Sequence, residues 1–312
     1  MGGVSRMGRL HPQLVRFAEA LAASGAAVLV PEIPEWKRLS VSPRVTAPTI
    51  RGCVDALGEM PEVRPGKYGL IGFSFGAPQV AISAARDDLA GHVAGIVLFG
   101  GYCSLQRTLT FQMTGQHEWE GVEYEGDPDP FGRWVVASNY LTEVPGYEDA
   151  GDVASALHTL ADAASSHRVK AWEPYHDAMI EDLREALPAR HRRTFDQFAR
   201  STDSPHAPAE PGSDLVAGLA EACCRVEPLL EPQRYLKGVR LPTRLIHGRG
   251  DRLTPFTEGL RLMAGLPAGS NHGTTVTALF DHSADRAPAS LTERVRERAL
   301  LFRALHGLVN TV

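Results

Sequence analysis

The sequence predicts an α/β fold: a mostly parallel sheet flanked by helices, interrupted by a helical insertion. Three observations carry that expectation. Short apolar runs at Tyr68-Gly69-Leu70-Ile71, at His92 to Phe99 and at Pro242 to His247 read as strands buried on both faces, with helix-patterned chain between them. Between the first of these runs and the small-residue helix Ala77 to Ala85 lies Gly72-Phe73-Ser74-Phe75-Gly76. Finally, Ser74, Asp251 and His282 each follow the carboxyl end of a strand-like run, the end at which parallel sheets gather their ligands.

In chain order, Leu10, Leu14, Phe17 and Leu21 fall at helical spacing, with Gly25 placed to cap the carboxyl end. Ala26-Ala27-Val28-Leu29-Val30 reads as a buried strand stopped by Pro31 and Pro34. Pro48 opens a helix carrying Ile50, Val54 and Leu57 on one face. The strand and helix around Ser74 follow, then the strand ending at Phe99, closed by Gly100-Gly101. From about Cys103 to Leu236 strand-like runs disappear and charged, Ala-rich helical patterns alternate with loops. That stretch is too long for a structureless connection and reads as a helical cap or lid. The α/β pattern resumes with the strand Pro242 to His247, a helix over Thr257 to Ala264, and a strand over Thr274 to Phe280 leading to Asp281-His282-Ser283. A last helix carries Val295, Ala299, Phe302, Leu305 and Val309 on one side.

With 312 residues the chain can bury one large α/β core or two modest ones. Its net charge of −5, with acids and bases interspersed, argues against a nucleic-acid partner. No uncharged stretch is long enough to span a bilayer, which argues against a membrane partner. Cys53, Cys103, Cys223 and Cys224 lack metal-ligand spacing, and the adjacent pair is a poor disulfide candidate. A reducing, cytoplasmic compartment is the simplest reading. No signal peptide is visible, and Arg6 stands where a myristoylation signal needs Ser or Thr.

The Gly-x-Ser-x-Gly run has a physical logic as a nucleophile elbow. Ser74 must adopt a strained backbone at a sharp bend, and side chains two residues away on either side would collide there. The bend lifts the hydroxyl above the sheet and aims the following helix's amino end at it, so that the Phe75 N–H can stabilise an oxyanion. A serine hydroxyl needs a neutral imidazole to take its proton, and the imidazole needs a carboxylate to fix its tautomer.

On these pieces the chain resembles the α/β-hydrolase superfamily. The resemblance rests on Gly72 to Gly76, on Ile246-His247-Gly248-Arg249-Gly250-Asp251-Arg252-Leu253-Thr254-Pro255 and on His282. It covers residues 1–103 and 237–312 as the core, with 104–236 as the cap. It implies Ser74 as nucleophile, Asp251 as orienting acid and His282 as general base, with the Val4 amide as a second oxyanion donor beside Phe75. The implied activity is a cofactor-independent serine hydrolase, with no metal, acting on a small-molecule carboxylic ester or related acyl substrate. An acyltransferase on the same fold and a catalytically silent binding protein are the alternatives. The resemblance also implies a central strand between Ala26–Val30 and Tyr68–Phe73, preceding Gly2-Gly3-Val4-Ser5-Arg6. A start further upstream, direct pairing of the two flanking strands, or a strand from another chain would each satisfy that need; the first is the expectation.

Several residues have plainer readings. His272 precedes the last strand and belongs at the opposite end of the sheet from Ser74. Asp251 can cap its own turn toward Thr254, and Asp281 reads as surface. His247 reads as structural. His158, His167 and His176 recur at a nine-residue interval, which on a helix turns consecutive members to opposite faces and argues against a metal. His117-Glu118-Trp119-Glu120 lacks the second histidine of a zinc-protease motif. Arg190, Arg192 and Arg193 around His191 read as a solvated helix face. Phe131, Trp134, Tyr140, Trp172 and Tyr175 read as cap core, a few of them able to line a pocket between cap and sheet.

Overall fold

The computed structural model describes residues 1–167, 169–202, 212–279 and 291–309. His282 and Asp281 therefore lie outside the described residues. Four parallel strands form the main sheet in the order β1 (Tyr68–Phe73), β2 (Val93–Phe99), β5 (Thr243–Gly248) and β6 (Asn271–Thr277). β2 is buried almost throughout because both faces are covered, which is why it reads as an unbroken apolar run. Val80, Ala81, Ile96, Leu98, Leu245 and Leu262 fill one side of the sheet. Phe99, Ile246 and Ala304 lie on the other, joined by the half-buried Phe17, Phe73 and Leu301.

The strands, and the helices Pro12–Ala23, Thr46–Gly58, Gly76–Ala84 and Phe256–Gly265, stand within a few residues of where the sequence puts them. Four expectations fail. Ala26–Val30 does not form a strand. A strand needs a hydrogen-bonding neighbour, and this segment has no strand beside it among the described residues: Val28 is 37% exposed, and the edge of β1 is occupied instead by Met1. The Met1 amino group donates to the Ile71 carbonyl (2.6 Å), and Phe73 N–H donates to the Met1 carbonyl (3.0 Å). Direct pairing of the two flanking strands is thereby ruled out.

Second, β6 begins at Asn271, earlier than its apolar residues suggest, because its exposed polar start still pairs with β5, Asn271 opposite Thr243 and Gly273 opposite Arg244. Third, the helix Leu291–Val309 turns away the side marked by its larger apolar residues: Val295 and Phe302 are 61% and 71% exposed. Its rotation is set by Glu297, whose carboxylate accepts from Thr277 Oγ1 (2.7 Å) and Ala278 N–H (2.9 Å) at the end of β6. Fourth, the region from Cys103 to Leu236 contains an antiparallel hairpin, β3 (Gln116–Trp119) and β4 (Val122–Glu125). Glu120 and Gly121 both have positive φ (51° and 79°), the two-residue turn whose twist suits a hairpin. Strands this short, half exposed and rich in glutamate, carry little apolar signal.

The other long elements described in that region are helices: Leu105–Thr114, Pro130–Tyr140, Gly151–His167, Asp177–Ala186, Ala189–Phe198 and Ser213–Val226. Trp134, Tyr140, Leu157, Phe195 and Phe198 build its core, which also takes in Leu39 and Val41 from the amino-terminal part of the chain. His191 departs from a solvated face. It is buried, with Nδ1 2.7 Å from Asp152 and Nε2 3.3 Å from Asp149, and the Asp152 hydrogen bond raises its pKa.

The helix Leu105–Thr114 is anchored to the sheet's far half by a buried carboxylate. Glu258 accepts from the Cys103 and Ser104 amides (3.1 and 2.6 Å) and from Arg107 Nε (2.6 Å). Glu231 accepts from the next amide, Leu105 (2.9 Å). These acids satisfy the orphan donors of a helix start that water does not reach. Glu258→Ala strands two buried N–H groups and is expected to cost about 2–4 kcal/mol, read from urea denaturation; a change within about 0.5 kcal/mol would contradict this anchoring.

Candidate functional site

Ser74 sits where β1 ends and the helix Gly76–Ala84 begins, with φ of 53°, a left-handed conformation unusual for serine. Its amide donates to the Phe99 carbonyl (2.7 Å) and its carbonyl accepts from Ala77 N–H (3.0 Å), which pins the bend to β2 on one side and to the helix on the other. Both flanking glycines are required by close approach. A Cβ on Gly72 would lie 2.7 Å from the Gly76 carbonyl oxygen and from Ala77 Cα, and one on Gly76 would strike the Gly2 carbonyl oxygen. The expected collisions are therefore present, though for Gly76 the obstacle is the amino-terminal segment and not the helix.

That segment crosses directly over the serine. A Cβ on Gly3 would lie 3.4 Å from Ser74 Oγ. The Val4 and Phe75 amides donate no hydrogen bond to any described residue, while the next amide along, Ser5, is occupied by the Trp36 carbonyl (3.2 Å). Phe75 is held by an edge-on contact with Trp36, ring centroids 5.1 Å apart. Ser74, Gly2, Gly3 and Val4 line one cavity of about 750 Å³, walled by Phe17, Phe73, Phe131 and Leu253.

Asp251 follows β5 and is buried. Its Oδ1 accepts from the Leu253 and Thr254 amides (2.9 and 3.0 Å), and its Oδ2 lies 3.5 Å from His247 Nε2. The turn-capping reading is thus correct for Oδ1; the same cap fixes Leu253, which belongs to the cavity wall. His247 is fully buried, bonded through Nε2 to the Thr254 carbonyl (3.0 Å) and packed on Gly259, as a structural histidine would be. His272 stands at the amino end of β6, remote from the carboxyl ends where Ser74 and Asp251 sit, and contacts the Gly269 carbonyl (3.2 Å). Among the described residues no cluster of histidine, cysteine, aspartate and glutamate is arranged to hold a metal, and no helix is long and apolar enough to cross a membrane.

Of the aromatic residues in the insertion, Trp134 and Tyr140 are core, Tyr175 is exposed, and Phe131 reaches the Ser74 cavity. Trp172 lies under the Arg252 guanidinium at 3.8 Å. The sequence reading missed His11, Arg16, Asp129 and Lys170, all on the cavity wall. Asp129 carried a signal in Asp129-Pro130, an amino-terminal cap followed by proline at the first helical position. Nothing in the chain marked the other three, because they meet Ser74 only through the packing of distant segments.

No family model matches this chain, and no curated protein sequence matches it. Among solved structures, the rice cell wall degrading esterase LipA from Xanthomonas oryzae is 13% identical with a TM-score of 0.44, covering 87% of this chain and 67% of its own. An alpha/beta fold family hydrolase from Bacillus anthracis str. Sterne is 16% identical with a TM-score of 0.37, covering 89% of this chain and 75% of its own. A monoacylglycerol lipase from Paleococcus ferrophilus is 13% identical with a TM-score of 0.37, covering 87% of this chain and 76% of its own.

Burial pushes the Asp129 carboxyl up from its ordinary 3.8 to about 6, against the opposing pull of the Phe131 amide and of Arg252, Lys170 and Arg133. Between about pH 4 and 6 the folded protein therefore holds more protons at this site than the unfolded chain. Stability is expected to fall as pH rises through that window, by up to about 3 kcal/mol. Asp129→Asn is expected to flatten the slope, measured as denaturation midpoints at pH 4 and pH 7; an unaltered slope would assign the titration to another group. The structure thus gives this chain a mostly parallel α/β sheet flanked by helices, with Ser74 at a glycine-flanked bend between strand and helix and Asp251 past the carboxyl end of another strand of the same sheet.

Proposed function

We propose that this protein is a serine hydrolase that cleaves a carboxylic ester or related acyl substrate through an acyl-enzyme on Ser74. The observation that carries the reading is the left-handed Ser74 lining a cavity, with two nearby backbone amides that donate to no described residue. The hydrolase and lipase names among the structural neighbours agree with it in reaction class.

In this reading the substrate carbonyl lies over Ser74 Oγ, with its oxygen toward the Phe75 and Val4 amides. As Oγ attacks, negative charge develops on that oxygen, and donors already oriented at the helix start stabilise it without reorganisation. His282 takes the hydroxyl proton and returns it to the leaving alcohol. Asp251 holds the imidazole's other nitrogen through Oδ2, because Oδ1 is committed to the Leu253 and Thr254 amides. Water, activated by the same imidazole, then releases the acid. The helical segment 104–236 serves as the cap, screening the cavity from bulk water and shaping its acyl and alcohol subsites.

Labelling with a fluorophosphonate is expected to modify the native protein and to fail with Ser74→Ala. Equal labelling of both would remove Ser74 from the mechanism. Asp251→Asn retains an acceptor for the turn but loses the charge, and is expected to lower kcat on the order of 10⁴-fold. A loss under tenfold would leave Asp251 only its structural cap.

A further inference from the structure

The cavity that holds Ser74 is walled mainly by apolar side chains, and against that background Asp129 is anomalous. It is 5% exposed. Its Oδ1 accepts from the Phe131 amide (3.0 Å), capping the helix Pro130–Tyr140, and its own amide donates to the Arg252 carbonyl (2.7 Å). Oδ2 accepts no hydrogen bond from any described residue, yet it is not among the polar atoms sealed from solvent, so it stays open to the cavity that Asp129 lines. A helix cap needs one acceptor, and asparagine, serine or threonine supplies it without burying a charge. Capping therefore accounts for Oδ1 and leaves the second oxygen unexplained. A buried acceptor without a donor is costly until something in the cavity satisfies it.

We propose that Asp129 is a specificity residue that accepts a hydrogen bond from a hydroxyl group of the substrate, so that the substrates are hydroxylated carboxylic esters. Two features favour a neutral hydroxyl over an ammonium group. Arg252, Lys170 and Arg133 already act electrostatically on the carboxylate, and they would repel a further cation. Much of the remaining wall is apolar, with Phe17, Phe73, Phe131 and Leu253 beside the polar His11, Arg16 and Lys170, and suits a largely apolar body carrying a polar group. A site that leaves a buried acceptor unpaired discriminates against the analogue lacking the donor, which is how one hydroxyl can govern the choice of substrate.

This inference rests on Ser74 being the acylated residue, and its test separates the two readings. The probes are two ester pairs differing by one hydroxyl: propyl butyrate with 3-hydroxypropyl butyrate, and methyl butyrate with methyl 3-hydroxybutyrate. The native protein is expected to favour the hydroxylated member of at least one pair by about 10- to 100-fold in kcat/KM, the discrimination available from a hydrogen bond to a charged group. Asp129→Asn still caps the helix through its amide oxygen but can offer the cavity N–H in place of an acceptor. It is expected to abolish or invert the ratio; loss of a cap alone would lower both members equally. An equal ratio in native protein and variant overturns the role of Asp129 and leaves the hydrolase reading standing. If no ester is cleaved, the hydrolase reading fails, and calorimetric titration of Ser74→Ala with the same pairs decides the inference. Tighter binding of a hydroxylated member, lost in Ser74→Ala/Asp129→Asn, supports it; equal binding overturns it.

Discussion

The constraint on which the rest depends is the left-handed backbone of Ser74. A serine held at φ of 53° is strained unless its surroundings leave the chain no cheaper path. Here the bend is held by the hydrogen bond to Phe99 in the adjacent strand and by the turn of helix that closes on the Ser74 carbonyl. Glycine on each side admits backbone where a side chain would otherwise stand. The strain is offset by the burial of β2 and of the helix Gly76–Ala84, so the bend is held by the best-packed part of the sheet.

The amino-terminal segment completes that arrangement in an unexpected way. Met1 hydrogen-bonds to the edge of β1, and Gly2 passes so close to Gly76 that no side chain could intervene. Gly3 and Val4 then arrive above Ser74 with an amide to spare. The same few residues thus shield a strand edge, lock the bend and line the cavity beside Ser74. Any movement of this segment changes all three together, which couples the sheet edge to the wall of the Ser74 cavity.

Buried carboxylates recur as local organisers. Glu258 and Glu231 receive the start of the helix Leu105–Thr114, Glu297 closes β6 onto the last helix, Asp251 caps the turn that carries Leu253, and Asp129 caps the helix Pro130–Tyr140. Each meets backbone donors that burial removes from water, and so each substitutes for solvent at a point where the chain must turn inside the protein. The caps at Asp129 and Asp251 are linked, because Asp129 N–H donates to the Arg252 carbonyl and Arg252 also pairs with Asp127. The helical insertion and the loop after β5 are therefore one hydrogen-bonded unit at the cavity's edge.

The sequence by itself determined the fold class, the parallel strands, and the positions of Ser74 and Asp251 at strand ends. Those features follow from local rules: a strand buried on both faces must be apolar along its length, and a strained bend between strand and helix demands glycine on each side. The tertiary structure alone decided the rest. Ala26–Val30 has the composition of a strand and lacks a pairing strand among the described residues, because pairing is a property of two segments. The last helix shows its larger apolar side to solvent because Glu297, twenty residues from Thr277 in the chain, sets its rotation. His191 stands among arginines in the sequence but between two aspartates in space. Asp129 reads as a helix cap and nothing more until packing carries it to the wall of the Ser74 cavity. Contacts between residues far apart in the chain leave no periodicity and no motif; they exist only once the core has closed.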